Sequence, residues 1–339
     1  MQVTTVGLDL AKNIFHVHGI TSEGSVAFNR ALRRGQVLTF FDKLAPCLVG
    51  IEACGTSHYW ARELSQLGHQ VRLIPPAYVK PYVKRGKSDA ADAEAICEAV
   101  GRPTMRFVEI KSAEQQALLS LHRARDLIVR QRTQTVNMLR GLLAEFGYVT
   151  AKNIERATAL ARDIAKGDGP ELPEMARAVI ASLCQQLLLL NDRIRWFTGQ
   201  IAAAWRLDKR IKLLQTIPGV GPITASAIVA TVGTPDQFRS GREFAAWLGL
   251  TPLNRSSGGK ERLGGISKMG DRYLRRLLVT GMTARVRAAR SRPDRADPWM
   301  ISLLECKPVR LVTVAMANKT ARIIWAVLTR NEAYKPAAA

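Results

Sequence analysis

The apolar pattern of this chain changes period once, near residue 111, and that change limits the folds open to it. Before it, short β-branched runs are separated by turn residues. VGLDL (6–10) and FHVHGI (15–20) read as strands, and SEG (22–24) as the turn leading the second into a third. LVGIEA (48–53) is a continuous apolar run ending in a carboxylate, the pattern of a fourth strand. SHYWARELSQLG reads as a helix stopped by Gly68, and QVRLIPP as a fifth strand halted by prolines. After the basic loop KPYVKRGK, Ser88 is placed to cap a helix over DAADAEAICEAV. Three strands followed by alternating strand and helix predict a mixed sheet flanked by helices, an α/β domain over residues 1–110.

Beyond the break the spacing is helical. In AEQQALLSLHRARDLIVRQRTQTVNMLRGLLAEFG, Leu118, Leu121, Ile128, Val136, Leu139 and Leu143 recur at helical intervals over many turns. After KGDGPELP a second long helix is predicted over MARAVIASLCQQLLLLNDRIRWFTGQIAAAW. The pair fits an antiparallel coiled-coil arm over 111–210, and fits core helices of a bundle equally well from periodicity. From 211 to 332 the chain is Gly- and Pro-punctuated, which predicts a small all-α domain.

Charge locates the partners. Fifty Lys/Arg against 28 Asp/Glu leave +22. The excess is concentrated: residues 1–110 carry 13 basic and 10 acidic groups, residues 111–238 carry 17 and 11, and residues 239–330 carry 19 and 6. Such a surface suits a polyanion, because neutralising phosphates releases condensed counterions. The basic excess does not lie on one amphipathic helix, which argues against a membrane surface. No apolar run in the sequence reads as a membrane span and no signal peptide is read at its start, so a cytoplasmic location is expected. Cys47, Cys54, Cys97, Cys184 and Cys306 are scattered and never spaced CxxC, which excludes a disulfide framework or a zinc site as a reading.

Four acids in the first domain form a candidate metal site. Asp9 interrupts an apolar strand, Glu52 ends another, and Asp89 and Asp92 share one face at a helix start. A carboxylate is costly to bury uncompensated. Divalent cations would compensate it, and phosphoryl transfer uses two of them about 3.5–4 Å apart. Oxygen donors suit Mg²⁺. Each acid alone has a plainer account: Asp89 and Asp92 favour the helix dipole, Glu52 could pair with Arg62, and Asp9 with Lys12.

In the C-terminal part, LLQTIPGVGPITASAIVATVG (213–233) has the form of a helix–hairpin–helix, with Gly219 and Gly221 at the turn and the next helix offering N–H groups to a phosphate. Further on, Ser256 and Ser257 precede Gly258 and Gly259 and the basic helix DRYLRRLL. A serine hydroxyl needs activation or strong transition-state stabilisation. Arg255, Lys260, Arg262, Lys268 and Arg272 could hold a scissile phosphate beside it. The alternative is a solvated Ser/Gly loop that binds phosphate passively.

GLDLAK, IEACGTSHYWAR and KSDAADAEAI resemble the DEDD motif of the IS110/IS1111 insertion-sequence transposases, relatives of the Piv DNA invertases, and the resemblance covers nearly the whole chain. It implies an RNase H-like (RuvC-like) N-terminal domain with Asp9, Glu52, Asp89 and Asp92 as the metal-site acids, holding Mg²⁺ or Mn²⁺. It implies a C-terminal serine nucleophile forming a 5′-phosphoserine link to DNA; the family pattern places it at Ser257, with Ser256 as the adjacent alternative. It further implies DNA partners (element ends and target), a bridge RNA as guide, and a homo-oligomer, dimer or tetramer, in which acidic and serine domains meet across subunits. By the same resemblance the protein would be bacterial and nucleoid-associated when active. Two other functions remain compatible with the residues: a metal-dependent nuclease or Holliday-junction resolvase using water, and a non-catalytic nucleic-acid-binding protein.

Overall fold

A computed structural model of the chain describes residues 2–84, 86, 88–206, 208–256, 258–260 and 262–335. Chain contacts divide it into two compact units, residues 1–114 and 115–339.

The first unit contains β1 (Val3–Asp9), β2 (Ile14–Thr21), β3 (Val26–Arg33), α1 (Val37–Asp42), β4 (Leu48–Glu52), α2 (Ser57–Gln66), β5 (Gln70–Ile74), α3 (Pro76–Val79) and α4 (Asp89–Val100). The strands form one sheet in the order β3-β2-β1-β4-β5, antiparallel across β3, β2 and β1 and parallel across β1, β4 and β5. Side chains alternate between its faces. Val6, Leu8, Val49 and Ile51 pack with Phe15, Phe41, Trp60 and Leu64 on the side of α1 and α2. The opposite face takes α4, whose Ile96 and Val100 pack with Ile74 and Val79. This is the mixed α/β sheet that the sequence predicts, and its order is consistent with an RNase H-like domain.

The second unit begins with three helices, α5 (Ala113–Glu145), α6 (Ile154–Lys166) and α7 (Glu174–Trp205). α5 and α7 run antiparallel: Ile128 packs near Leu190 and Ile194, while Val136, Leu139 and Leu143 share a core with Ile180, Cys184 and Leu187. α6, which sequence periodicity did not single out, completes that core through Ala157 and Ala161. The buried face of α5 starts at Leu119 and His122, not at Leu118 and Leu121. Two polar residues, His122 and Thr135, lie on it, so apolarity alone set the face one residue off.

The remaining elements are α8 (Lys209–Gln215), α9 (Pro222–Val232), α10 (Gly241–Trp247), β6 (Pro252–Asn254), β7 (Leu263–Ile266), α11 (Arg272–Ser291), α12 (Pro298–Cys306) and α13 (Val309–Arg330). Their core joins Ile211, Leu214, Phe244, Leu248, Leu274, Leu278, Met282, Met316 and Ile324. α13 is long and apolar enough to cross a membrane by length and composition, contrary to the sequence reading. Its Val312, Met316, Ala317, Ala321 and Ile324 are nevertheless core residues of this unit. Among the described residues β6 and β7 form a two-stranded hairpin where the sequence predicts only a loop.

Candidate active site

Two strands carry the same tetrapeptide pattern. Val6-Gly7-Leu8-Asp9 in β1 lies in register beside Val49-Gly50-Ile51-Glu52 in β4, with Gly7 opposite Gly50 and Leu8 opposite Ile51. Alternation sends Val and Leu/Ile to the α1–α2 side, and the glycine and acid to the α4 side. The glycines are required there by contact. A Cβ on Gly7 would stand 2.1 Å from the Ala93 carbonyl oxygen, and one on Gly50 would stand 2.8 Å from Val100 Cβ. α4 therefore lies directly on the sheet. Ser88 caps it by accepting a hydrogen bond from the Ala91 amide at 3.2 Å, and Asp89 and Asp92 occupy its first turn.

The result is a convergence of carboxylates. Oxygens of Asp9, Asp89 and Asp92 lie within 4.8 Å of one another. Glu52 falls outside that group of three but acts on it electrostatically. Burial pushes the Asp9 carboxyl up to about 6, and the charges of Asp92, Asp89 and Glu52 add to the rise while His16 opposes it. Glu52 is raised too, by burial and then by Asp92. Among the described residues no ion pair joins Asp9 to Lys12 or Glu52 to Arg62, so the plainer accounts of these two acids do not hold. His16, paired with Asp9 across β1 and β2, lies 3.8 Å from Asp89 through an Nδ1 that has no hydrogen-bond partner. Sequence reasoning did not select it.

In the second unit, the β6–β7 hairpin carries the serine segment. Asn254 Oδ1 accepts the Ser256 amide at 2.8 Å, and Ser256 Oγ accepts the Arg262 amide at 3.0 Å. The Arg255 amide donates to the Arg262 carbonyl at 2.8 Å. Ser257 lies outside the described residues. Gly258 and Gly259 have φ of +56° and +76°, and a Cβ on either would meet open space. Arg255, Lys260 and Arg262 are exposed beside them. At the hairpin base, Lys268 takes φ +55° and its amide donates to Gly249; Arg272 opens α11, which Asp271 caps.

The turn between α8 and α9 holds Gly219 at φ +85°. A Cβ there would stand 2.4 Å from Met282 Cε and 2.7 Å from Arg285 Cδ, so packing on α11 explains this glycine. Gly221 caps α9 with open space beside it.

The family model described as "Transposase IS116/IS110/IS902 family" matches residues 211–297, and a DEDD transposase model of the IS110 group, described as "Transposase", matches residues 6–147. A "Probable family 20 transposase" of Pseudomonas aeruginosa is 50% identical over 337 residues, covering 99% of this chain and 100% of that protein. The "Transposase for insertion sequence element IS1328" of Yersinia enterocolitica is 38% identical across 98% of each chain. The "Transposase for insertion sequence element IS1111A" of Coxiella burnetii is 38% identical over 98% of this chain and 92% of its own. The chain belongs to the IS110/IS116/IS902 family of insertion-sequence transposases.

A transposase of this family binds, cuts and rejoins DNA, and a DEDD domain implies use of a divalent metal. The donor set fits such an ion: three carboxylates converge at a position where burial, and then their mutual repulsion, raises Asp9. In the transposase, besides His16, the two glycines are positions that sequence reasoning missed. Their signal was present: a Val-Gly-apolar-acid pattern occurs twice in one short domain.

Proposed function

We propose that this transposase cuts and religates DNA through a covalent serine–DNA intermediate, with Asp9, Glu52, Asp89 and Asp92 holding Mg²⁺ or Mn²⁺ and a bridge RNA selecting the DNA. The observation that carries the reading is the convergence of Asp9, Asp89 and Asp92, where burial and the neighbouring carboxylates raise Asp9 by more than His16 lowers it. A divalent ion held there would supply charge stabilisation to a pentacovalent phosphorus and its oxygens.

The rest of the chemistry belongs to the chain. The hydroxyl oxygen of Ser257 attacks the scissile phosphorus, the P–O3′ bond breaks, and the serine proton ends on the departing 3′ oxygen. The products are a 5′-phosphoserine and a free 3′ hydroxyl, and the reverse attack by another 3′ hydroxyl rejoins the strand, so no nucleotide cofactor is consumed. Ser256 Oγ already accepts a hairpin hydrogen bond from the Arg262 amide, which supports its neighbour as the attacking group. Arg255, Lys260, Arg262, Lys268 and Arg272 would hold the phosphate and its developing charge. Gly258 and Gly259 leave room for a DNA backbone, and Gly221, with open space beside it, leaves room for another at the α8–α9 turn that Gly219 shapes.

The family reading also includes a homo-oligomer, dimer or tetramer, assembled through the arm in a bacterial cytoplasm. Met175, Val179, Leu189 and Trp196 fall on one heptad frame of α7 and are all exposed, a face suited to a second helix.

Denaturing gels of protein mixed with the bridge RNA, labelled element-end DNA and Mg²⁺ test the mechanism. Wild type is expected to form a protein–DNA adduct that maps to Ser257, and both Ser257→Ala and Asp9→Asn to form none. A Ser257→Ala protein that nicks DNA at the wild-type rate overturns the covalent route in favour of attack by water.

A further inference from the structure

The three arm helices enclose a cavity of about 540 Å³ that neither the acidic cluster nor the serine hairpin uses. Arg132 enters it from α5, Thr158 and Arg162 from α6, and Asn191 and Arg195 from α7. Its polar groups are fixed by their neighbours. The Asn191 amide nitrogen donates to Thr158 Oγ1 at 3.1 Å, which turns its carbonyl oxygen toward Arg132 Nη1 at 3.4 Å. Arg132 Nε is buried and has no hydrogen-bond partner.

The charges in this cavity do not balance. Arg195 is paired with Asp192. Arg162 has no carboxylate partner among the described residues, and Arg132 finds only the neutral Asn191 oxygen. Two turns earlier on α5, Arg125 likewise points its Nε at a neutral oxygen, Thr198 Oγ1, at 2.9 Å. Burial and the like charge of Arg125 hold the Arg132 guanidinium below its ordinary pKa. A half-buried guanidinium without an anion is costly, and cores normally avoid it. Glu155 and Asp192 are the two carboxylates lining the cavity, so its three guanidiniums leave it one positive charge in excess.

We infer that this cavity is a subsite for one phosphodiester of a nucleic-acid backbone, gripped by Arg132 and Arg162, an inference that rests on the reading of the protein as a nucleic-acid transposase. A phosphodiester carries a single negative charge, which matches the excess. Its two free oxygens suit the fork of a guanidinium. The cavity opens to solvent at the exposed Arg162, so a continuous strand can pass it.

The test is equilibrium binding of fluorescein-labelled element-end duplex to the full chain across a salt series, for wild type, Arg162→Gln and Arg132→Met/Arg162→Gln. Loss of a phosphate contact lowers the slope of log K against log salt by about one and weakens all sequences alike. We expect the double variant to bind about tenfold more weakly near physiological salt, with a slope shallower by one to two. An unchanged slope in both variants overturns the inference. Arg162 is exposed and outside the core, so its single variant decides the matter should Arg132→Met fail to fold. In a parallel arm, inorganic phosphate that raises the thermal midpoint of wild type but not of the variants, with unchanged duplex slopes, would assign the cavity to free phosphate and overturn the backbone reading. Failure of the serine adduct leaves the slope comparison intact, because one experiment reads a covalent bond and the other reads binding.

Discussion

At the scale of residues, the acids were legible and the glycines beneath them were not. A carboxylate in an apolar strand stands out in a sequence, whereas a glycine in a strand signals a turn or bulge as readily as a close approach. Only the register of β1 against β4 shows that Gly7 and Gly50 stand opposite each other under α4. Gly7→Ala would place a methyl 2.1 Å from the Ala93 carbonyl and force α4 outward. Overpacking of this kind costs about 1–3 kcal/mol, but displacing Asp89 and Asp92 by about 1 Å can lower a rate on the order of a hundredfold. Adduct formation should therefore fall far more than the thermal midpoint, and Mg²⁺ should no longer raise that midpoint. The acids themselves predict the opposite trade. Asp9 titrates at about 6 in the fold against an ordinary 3.8. A raised value means that its contribution to stability is whole below 3.8 and lost as pH rises through 6. Asp92→Asn removes the largest charge acting on Asp9. In EDTA at pH 7 the variant should be more stable than wild type by about 1 kcal/mol, allowing for solvent screening. In Mg²⁺ the order should reverse, as read by differential scanning calorimetry.

At the scale of elements, strands, the Ser88 cap and both long helices followed from period and punctuation, because local chemistry decides them. The buried face of α5 did not, because it includes a histidine. His122 is buried among α5, α9 and α11, with Nε2 2.9 Å from Ser226 Oγ and Nδ1 3.1 Å from Tyr273 Oη. Beside it, Arg276 pairs with Asp126 and stacks over the Tyr273 ring. This network fixes α5 to the helices of its own unit, and a periodicity search treats its central residue as a break. Burial, and then the Arg125 charge, lower His122 from its ordinary 6.5 to about 4. The unfolded chain thus binds more protons between those values, so stability is whole above pH 6.5 and is lost as pH falls toward 4, by on the order of 2–3 kcal/mol. His122→Phe removes that dependence and takes one hydrogen bond from each of the Ser226 and Tyr273 hydroxyls, while Ser226 keeps the Ile223 carbonyl, at about 0.5–1.5 kcal/mol each. Urea unfolding from pH 7 to 4.5 should show wild type losing more stability over this range than the variant, which starts lower; a variant with the same pH dependence as wild type would assign the slope to other groups.

At the scale of the whole molecule, sequence separates two chemistries that the proposed mechanism combines. The carboxylates lie in a segment of nearly balanced charge, and the serines in a segment with 19 basic against 6 acidic residues. Neither composition nor pattern states whether one chain or two supply a working set, since that depends on assembly and not on local structure. The proposed dimer of the family reading makes a definite prediction. Let Asp9→Asn and Ser257→Ala proteins, each expected to form no adduct, be mixed and allowed to exchange subunits. If acids of one subunit serve the serine of the other, every mixed dimer pairs the intact acids of the second protein with the intact serine of the first. Its other site is doubly defective. Random exchange of a symmetric dimer makes half the dimers mixed, so about one site in four should recover. Adduct should then reappear at about a quarter of the wild-type yield, all of it on the Asp9→Asn polypeptide, which the two proteins' different tags distinguish on a denaturing gel. If acids and serine act within one subunit, no combination restores a complete set and the mixture stays inactive. An adduct on the Ser257→Ala polypeptide would instead move the nucleophile to another residue, with Ser256 first to be examined.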